Sequence, residues 1–436
     1  MSILRDVTAV RKVIRNALRS RRTRAQLADR LSAPGVRPAP GSVEIAVYFA
    51  DTKVNLYQIR QWYAPLAELA SQHPVAIISR SPGAALALLD ESPVPVVYCR
   101  RVTELEDFVE AQPLRLVLYV NQNQKNFQMF RYGRMWHVFV NHGESDKMYM
   151  VSNQHKSYDY AFVAGQAAID RLSVRLWDFD AAKKLIPIGR PQADHFAGEL
   201  PYPRDGRQVV LYAPTWEGDR PAASYGSIES HGEAIAHAVL RSADHRLVYR
   251  PHPRSGVNSA SYRAAHERIV AAIAAANAAD PAARHIYDDG PELGWQLADA
   301  DLAITDISAM VYDRLATGKP LIVARPVSPD AEIDETGFLG ACEWLSAAAA
   351  SGILAVMERT LSDPELVARN RHWSEHHFGD TSPGAATARF HAAVDTLIQR
   401  WTEHAALHEG DRITHEHDPL DEEFDEEGLP LEVQDD

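Results

Sequence analysis

Cysteine is scarce: the 436 residues hold two, Cys99 and Cys342, far apart in the chain and matching no metal-ligand spacing. That excludes a disulfide framework and a cysteine-built zinc site, and makes a reducing cytosol the expected compartment. Long apolar runs are also missing. No stretch approaches the roughly eighteen consecutive apolar residues that cross a bilayer, and the first thirty residues lack the apolar core of a secretion signal. Basic residues are not interleaved with aromatics and the body of the chain is not basic, which excludes a nucleic-acid groove.

What is present is an ordinary globular composition, 46% hydrophobic and 24% charged, in a chain long enough for two or three domains. The net charge of -14 sits unevenly. Residues 409–436 carry thirteen acidic groups against one arginine, whereas residues 1–30 carry nine basic groups against two aspartates. DPLDEEFDEEGLPLEVQDD reads as a disordered, solubilising or partner-binding tail over 403–436. At the other end Ile3, Val7, Val10, Ile14 and Leu18 recur at helical spacing, with Arg5, Lys12, Arg15 and Arg19 on the flank or far side. Such a helix over residues 1–30 fits an anionic membrane surface; it also fits docking on its own domain with a solvated basic face.

SAPGVRPAPGSV, residues 32–43, reads as a linker that closes an N-terminal unit of about forty residues. After it, short β-branched runs alternate with helical ones, from VEIAVYFA through PVAIISR, VPVVYC, LRLVLYV and MWHVFVNHG to YDYAFVAG. KLIPIGRPQADHF reads as a crossing segment, and RQVVLYAPTW, RLVYRPHPRSG, DADLAITD and PLIVAR begin a second set. The expected fold is α/β: two doubly wound, Rossmann-like halves over 41–190 and 205–400.

In open α/β sheets, ligands collect beyond the carboxyl ends of strands, so four stretches draw attention. In ITDISAMVYDRLATGKP, Thr305, Asp306 and Ser308 form a polar turn before a helix whose free N–H groups suit a phosphate; helix capping explains the same residues. In LVYRPHPRSG, Arg250, His252 and Arg254 alternate, so an extended chain aims two guanidiniums and an imidazole one way, toward a pyrophosphate. In VLYAPTWEG, Thr215 and Trp216 enter a loop, where the indole stacks on a base or packs in the core. In FVNHGESDK, His142 and Gly143 leave a strand with Glu144, Asp146 and Lys147 close behind; carboxylates that raise the histidine's basicity make it a candidate general base.

Taken in order, these stretches resemble the CDP-glycerol glycerophosphotransferase family, which includes teichoic acid polymerases and primases. The family's His-Gly-Thr-Pro-Leu-Lys element is similar to residues 142–147, its Gly-x-Pro-Arg-x-Asp element to Gly189-Arg190-Pro191-Gln192-Ala193-Asp194, and its Ala-Pro-Thr-Trp to residues 213–216. His252-Pro253, Thr305-Asp306-Ile307-Ser308-Ala309 with Tyr312-Asp313, and a late Gly379-Asp380 with Arg389 complete the ordered set. The resemblance implies a GT-B fold whose halves face across a cleft, the nucleotide held mainly by the second. It implies a donor such as CDP-glycerol or a related CDP-polyol, and an acceptor that is a polyol phosphate or lipid-linked glycan. His142 and His252 then carry catalysis, and Gly143, Lys147, Thr215, Trp216, Arg250, Arg254, Thr305, Asp306, Ser308, Asp380 and Arg389 bind substrate. No cofactor is called for, although a divalent ion bridging the pyrophosphate is compatible. The expected location is cytoplasmic, on the inner face of the membrane. Alternatives are a GT-B glycosyltransferase using a nucleotide sugar and an inactive membrane-associated binding protein. The sequence departs from the family at Glu144-Ser145-Asp146, Gln192, Glu217 and Ala309, which bears on the donor and acceptor.

Overall fold

The structure, a computed structural model, describes residues 20–144, 151–290 and 293–409. Strands form where β-branched and aromatic residues run together, and most are buried on both faces, as covered parallel sheets require. The first sheet contains β1 (Ile45–Phe49), β2 (Val75–Ser79), β3 (Val96–Tyr98), β4 (Leu116–Tyr119), β5 (Trp136–Phe139), β6 (Tyr160–Val163) and β7 (Leu185–Pro187), ordered β3-β2-β1-β4-β5-β6-β7. The second contains β8 (Gln208–Ala213), β9 (His245–Tyr249), β10 (Ile286–Tyr287), β11 (Leu302–Thr305), β12 (Leu321–Ala324) and β13 (Trp344–Leu345), ordered β10-β9-β8-β11-β12-β13. All pairings are parallel. Each sheet reverses its winding next to its first strand, at β1/β4 and at β8/β11, the two places where loops part and ligands enter.

Leu185–Pro187, read from sequence as a crossing segment, is the edge strand of the first sheet, paired with β6. The last helix, Ala385–Leu407, also lies elsewhere than its place in the chain suggests. Although the segmentation above puts residues up to 400 with the second half, Phe390, Ala393, Val394, Leu397 and Ile398 pack into the core of the first, among Trp62, Val138 and Phe162. Trp136 Nε1–H donates to the Leu397 carbonyl (3.1 Å) and Trp401 Nε1–H to that of Arg134 (2.8 Å). This helix therefore straps the two halves together. Its first turn is held by Asp194, whose carboxylate accepts from the Thr387 N–H (2.7 Å).

Of the basic head, residues 1–19 lie outside the described part of the chain, as does the acidic tail from 410. Residues 20–31 are helical; Leu27 is buried, and Arg30 pairs with Asp90 (2.6 Å) on the helix Pro82–Glu91, so this end is docked on the first half. Among the described residues no helix is long and apolar enough to cross a membrane, and no group of three or more His, Cys, Asp or Glu could hold a metal ion.

Candidate active site

Beyond β5 the chain is turned by Asn141, which adopts φ 57°, a left-handed conformation that asparagine tolerates better than most residues. Its side chain fixes the turn on both sides: Oδ1 accepts from the His142 N–H (2.9 Å) and Nδ2 donates to the Gly143 carbonyl (2.6 Å). The Trp62 indole N–H donates to the Asn141 carbonyl. His142 is thereby aimed into a cavity of ≈ 90 Å³ that Arg171, Arg190, Gln192 and Phe378 also line.

The imidazole is oriented by one bond. Nδ1 lies 3.0 Å from the Val120 carbonyl oxygen, an atom that can only accept, so Nδ1 carries the proton. In the neutral ring Nε2 is then a lone pair, the form that can take a proton. Burial pushes its pKa below the ordinary 6.5, the Arg190 guanidinium adds to this, and the bond to Val120 opposes both. The expectation that nearby carboxylates raise its basicity is corrected at Glu144, which turns to Arg171 (2.5 Å). Asp146 and Lys147 lie outside the described residues.

In the second half, the N–H of His252 donates to the Pro214 carbonyl (3.0 Å), tying the exits of β8 and β9 together. Here Nδ1 accepts, from the Arg254 N–H (3.1 Å). In the neutral ring Nε2 is then a donor. Trp216 stacks on His252, with ring centroids 6.3 Å apart and planes at 28°, and Arg254 Cζ lies 4.0 Å from the centre of the indole. Burial and Arg254 lower the pKa of His252, while Glu217 pulls the other way.

The expected convergence of Arg250, His252 and Arg254 is not what forms. The chain turns after His252, with the Ser255 N–H donating to the His252 carbonyl (2.9 Å), so the alternation ends. Arg250 is taken by Asp288 (2.6 Å) and the Gly290 carbonyl (3.1 Å). Glu217 accepts from the N–H groups of Gly256 (2.8 Å), Asn258 (2.6 Å) and Ser259 (3.0 Å), anchoring this loop at the start of the helix Ala260–Ala279. Its burial raises the carboxyl pKa, but these donors outweigh it and hold the group below its ordinary value.

The turn after β11 braces the exits of its neighbours. Thr305 and Asp306 are fully buried, and Asp306 Oδ2 accepts from the N–H groups of Thr215 (2.8 Å) and Ser227 (3.0 Å) across the β8/β11 opening. Burial pushes Asp306 up to about 7. The Ser308 hydroxyl accepts from the Met310 N–H (3.2 Å), so it caps the seven-residue helix Ala309–Leu315. Capping therefore accounts for this motif.

Asp380 and Arg389 sit at the turn between the last two helices. Arg389 Nη2 donates to the carbonyls of Phe378 and Asp380 (both 2.9 Å), and the Asp380 carboxylate accepts from the N–H (2.8 Å) and hydroxyl (2.6 Å) of Ser382. They seat the backbone against Gly189, where φ is +75° and a Cβ would fall 2.2 Å from Arg389 Nη2. Next to Gly189, Arg190 crosses to the second half and pairs with the buried Asp313. The sequence reading assigned no role to Arg171, Arg190 or Gln192. The only signal was that two of them stood inside the Gly-x-Pro element.

Residues 129–332 match the family model described as CDP-Glycerol:Poly(glycerophosphate) glycerophosphotransferase, so the resemblance read from the motifs holds over that segment. No curated protein matches the chain. Among solved structures, one described as a UDP-N-acetylglucosamine 2-epimerase from Listeria monocytogenes is similar at a TM-score of 0.53 and 14% identity, covering 83% of this chain and 98% of that one. The wall teichoic acid polymerase TagF, solved after a soak with CDPG, is similar at 0.51 and 12% identity, covering 90% of this chain and 98% of that one. At such identities the likeness establishes the fold, which is GT-B.

Proposed function

We propose, on the family match over residues 129–332, that the chain transfers a glycerol-phosphate or related polyol-phosphate unit from a CDP-linked donor to an acceptor hydroxyl, in synthesis of a teichoic-acid-like surface polymer. The observation that carries the reading is the pair of histidines at the strand ends, one offering a lone pair and the other an N–H. In the reaction a new bond joins the acceptor oxygen to the β-phosphorus of CDP-glycerol, the pyrophosphate P–O bond breaks, and CMP departs. His142 Nε2 takes the proton of the attacking hydroxyl. His252 Nε2–H donates to the phosphate oxygens that gain charge, and Arg254 adds a positive charge beside it. Preorganised donors of this kind contribute roughly 3 kcal/mol each.

Arg250, Asp306, Ser308, Asp380 and Arg389 act in this reading by holding loops rather than by touching the donor, and Thr305 is buried at the end of β11. TagF, whose structure was determined with CDPG, supports the choice of donor. The test is release of CMP from CDP-glycerol against a panel of nucleotide sugars. Turnover of CDP-glycerol supports the reading, and turnover confined to a nucleotide sugar overturns it.

Attachment to the inner face of an anionic membrane belongs to the same proposal and rests on the pattern of residues 3–19. Removing residues 1–19 should abolish sedimentation with vesicles containing phosphatidylglycerol; unchanged sedimentation contradicts it.

A further inference from the structure

Arg190 is a buried cation with donors to spare. It lines the cavity in front of His142, is only 9% exposed, and stands where the crossing segment meets the second half. A guanidinium carries five N–H donors. Nη1 is held by Asp313, and Nη2 reaches Gln61 Oε1 only at 3.5 Å, beyond the usual range of a hydrogen bond. The Nε–H is sealed from water and has no hydrogen-bond partner. Phe196 lies to one side, its ring centre 6.0 Å from Cζ. The underused part of the group is therefore its Nε/Nη2 edge, two parallel N–H groups that match a pair of oxygens on an oxyanion. Burying such a donor unpaired is unfavourable unless a ligand supplies acceptors. The charge is also felt at His142, whose pKa it helps to lower.

We infer that Arg190 is a phosphoryl-binding residue of this cavity, its Nε/Nη2 edge turning from Gln61 to grip two oxygens of a tetrahedral oxyanion beside His142. That the oxyanion is the group being transferred rests on the reaction proposed above; the oxyanion site itself does not. In that reaction Arg190 binds the two non-bridging oxygens of the β-phosphoryl group. The acceptor oxygen, its proton passing to His142, forms its bond to phosphorus as the bond to CMP breaks. The two halves then divide the pyrophosphate, Arg190 holding the phosphate that moves and His252 with Arg254 the one that leaves. Asp313 competes for the same guanidinium from the second half, so removing its charge leaves the fork freer and more positive. The oxyanion can come from the donor's β-phosphate or from a phosphate carried by the acceptor, since both present the same oxygens.

The test follows the His142 ring of the full chain by NMR pH titration, because a negative charge bound at Arg190 favours the protonated imidazole. Saturating inorganic phosphate should raise the His142 pKa by about 0.5 or more in the wild type and leave it unmoved in Arg190→Gln. Arg190→Lys, which keeps the positive charge but not the planar fork, should need about tenfold more phosphate for the same effect. Asp313→Asn should need less, by about threefold. If Arg190 were only a strut for Asp313, Asp313→Asn would be as insensitive to phosphate as Arg190→Gln, and that result overturns the inference. So does a phosphate effect that is absent from the wild type or survives Arg190→Gln. Repeating the titration with CDP-glycerol and with glycerol 3-phosphate identifies the source, as the one that acts at the lower concentration. If the phosphate effect stands while CMP release from CDP-glycerol fails, the proposed reaction falls and the oxyanion site remains.

Discussion

Each half puts a histidine beyond a strand of its parallel sheet, His142 after β5 and His252 after β9 on opposite sides of the two switch points, and the two rings are oriented in opposite ways. In the first half a carbonyl fixes Nδ1 as a donor and leaves Nε2 with a lone pair. In the second an N–H fixes Nδ1 as an acceptor and leaves Nε2 with a proton. The same side chain thus presents a lone pair or an N–H at Nε2 according to one backbone partner. The supports differ in kind as well. His142 is held by a strained Asn141 turn, whereas the His252 region is braced by Asp306 and Glu217, two carboxylates that collect backbone N–H groups.

Amide substitution should break this symmetry most sharply. His142→Gln offers no basic lone pair, so kcat/KM for CMP release should fall about a thousandfold, as far as in His142→Ala. The amide of His252→Gln can place an N–H near the position of Nε2, so this variant should stay within about tenfold of wild type, whereas His252→Ala loses roughly a hundredfold or more. Equal losses for Gln at both positions would remove the distinction between base and donor.

The brace gives the next largest effect. Asp306→Ala orphans the N–H groups of Thr215 and Ser227 and should lower stability by about 2–4 kcal/mol in urea unfolding. Asp306→Asn keeps an acceptor for them and should cost under about 1 kcal/mol, because burial already raises the carboxyl to about 7 and makes its neutral form accessible. Similar losses for both variants would mean that charge matters here more than hydrogen bonding.

The pH profile offers a smaller but directional test. A base whose pKa lies below 6.5 stays unprotonated as pH falls to 6.5 and is lost only as pH drops through the lowered value. The acid limb of kcat/KM should therefore have its midpoint below 6.5; a midpoint above it would show that a carboxylate outweighs burial and Arg190 at His142.

Most of the sheet architecture was legible because a parallel strand buried on both faces leaves an unbroken β-branched run. β10 and β13, two residues each, are too short to leave such a trace. The strap helix could be seen as a helix, but its partners, Trp62 and Trp136, lie far away in the chain, and no local pattern reveals such a contact. At the site, position after a strand drew attention to His142, His252 and Trp216, and the structure puts His142 on a cavity and stacks Trp216 on His252. It did not reveal the Arg250 partner, Asp288, which comes from another strand's exit, and it could not separate the two readings of Ser308, because a capping hydroxyl and a ligand-binding one look alike in sequence. Arg171 left no sign, since its ion pair with Glu144 joins two elements that only the fold brings together.

The central claim is the opposed tautomers, and long-range proton–nitrogen NMR on the full chain with ¹⁵N-labelled histidine reads them directly, with His142→Gln and His252→Gln variants assigning the signals. At neutral pH, His142 should show its proton on Nδ1 and His252 on Nε2. A proton on Nε2 of His142, or the same tautomer at both positions, would contradict the account.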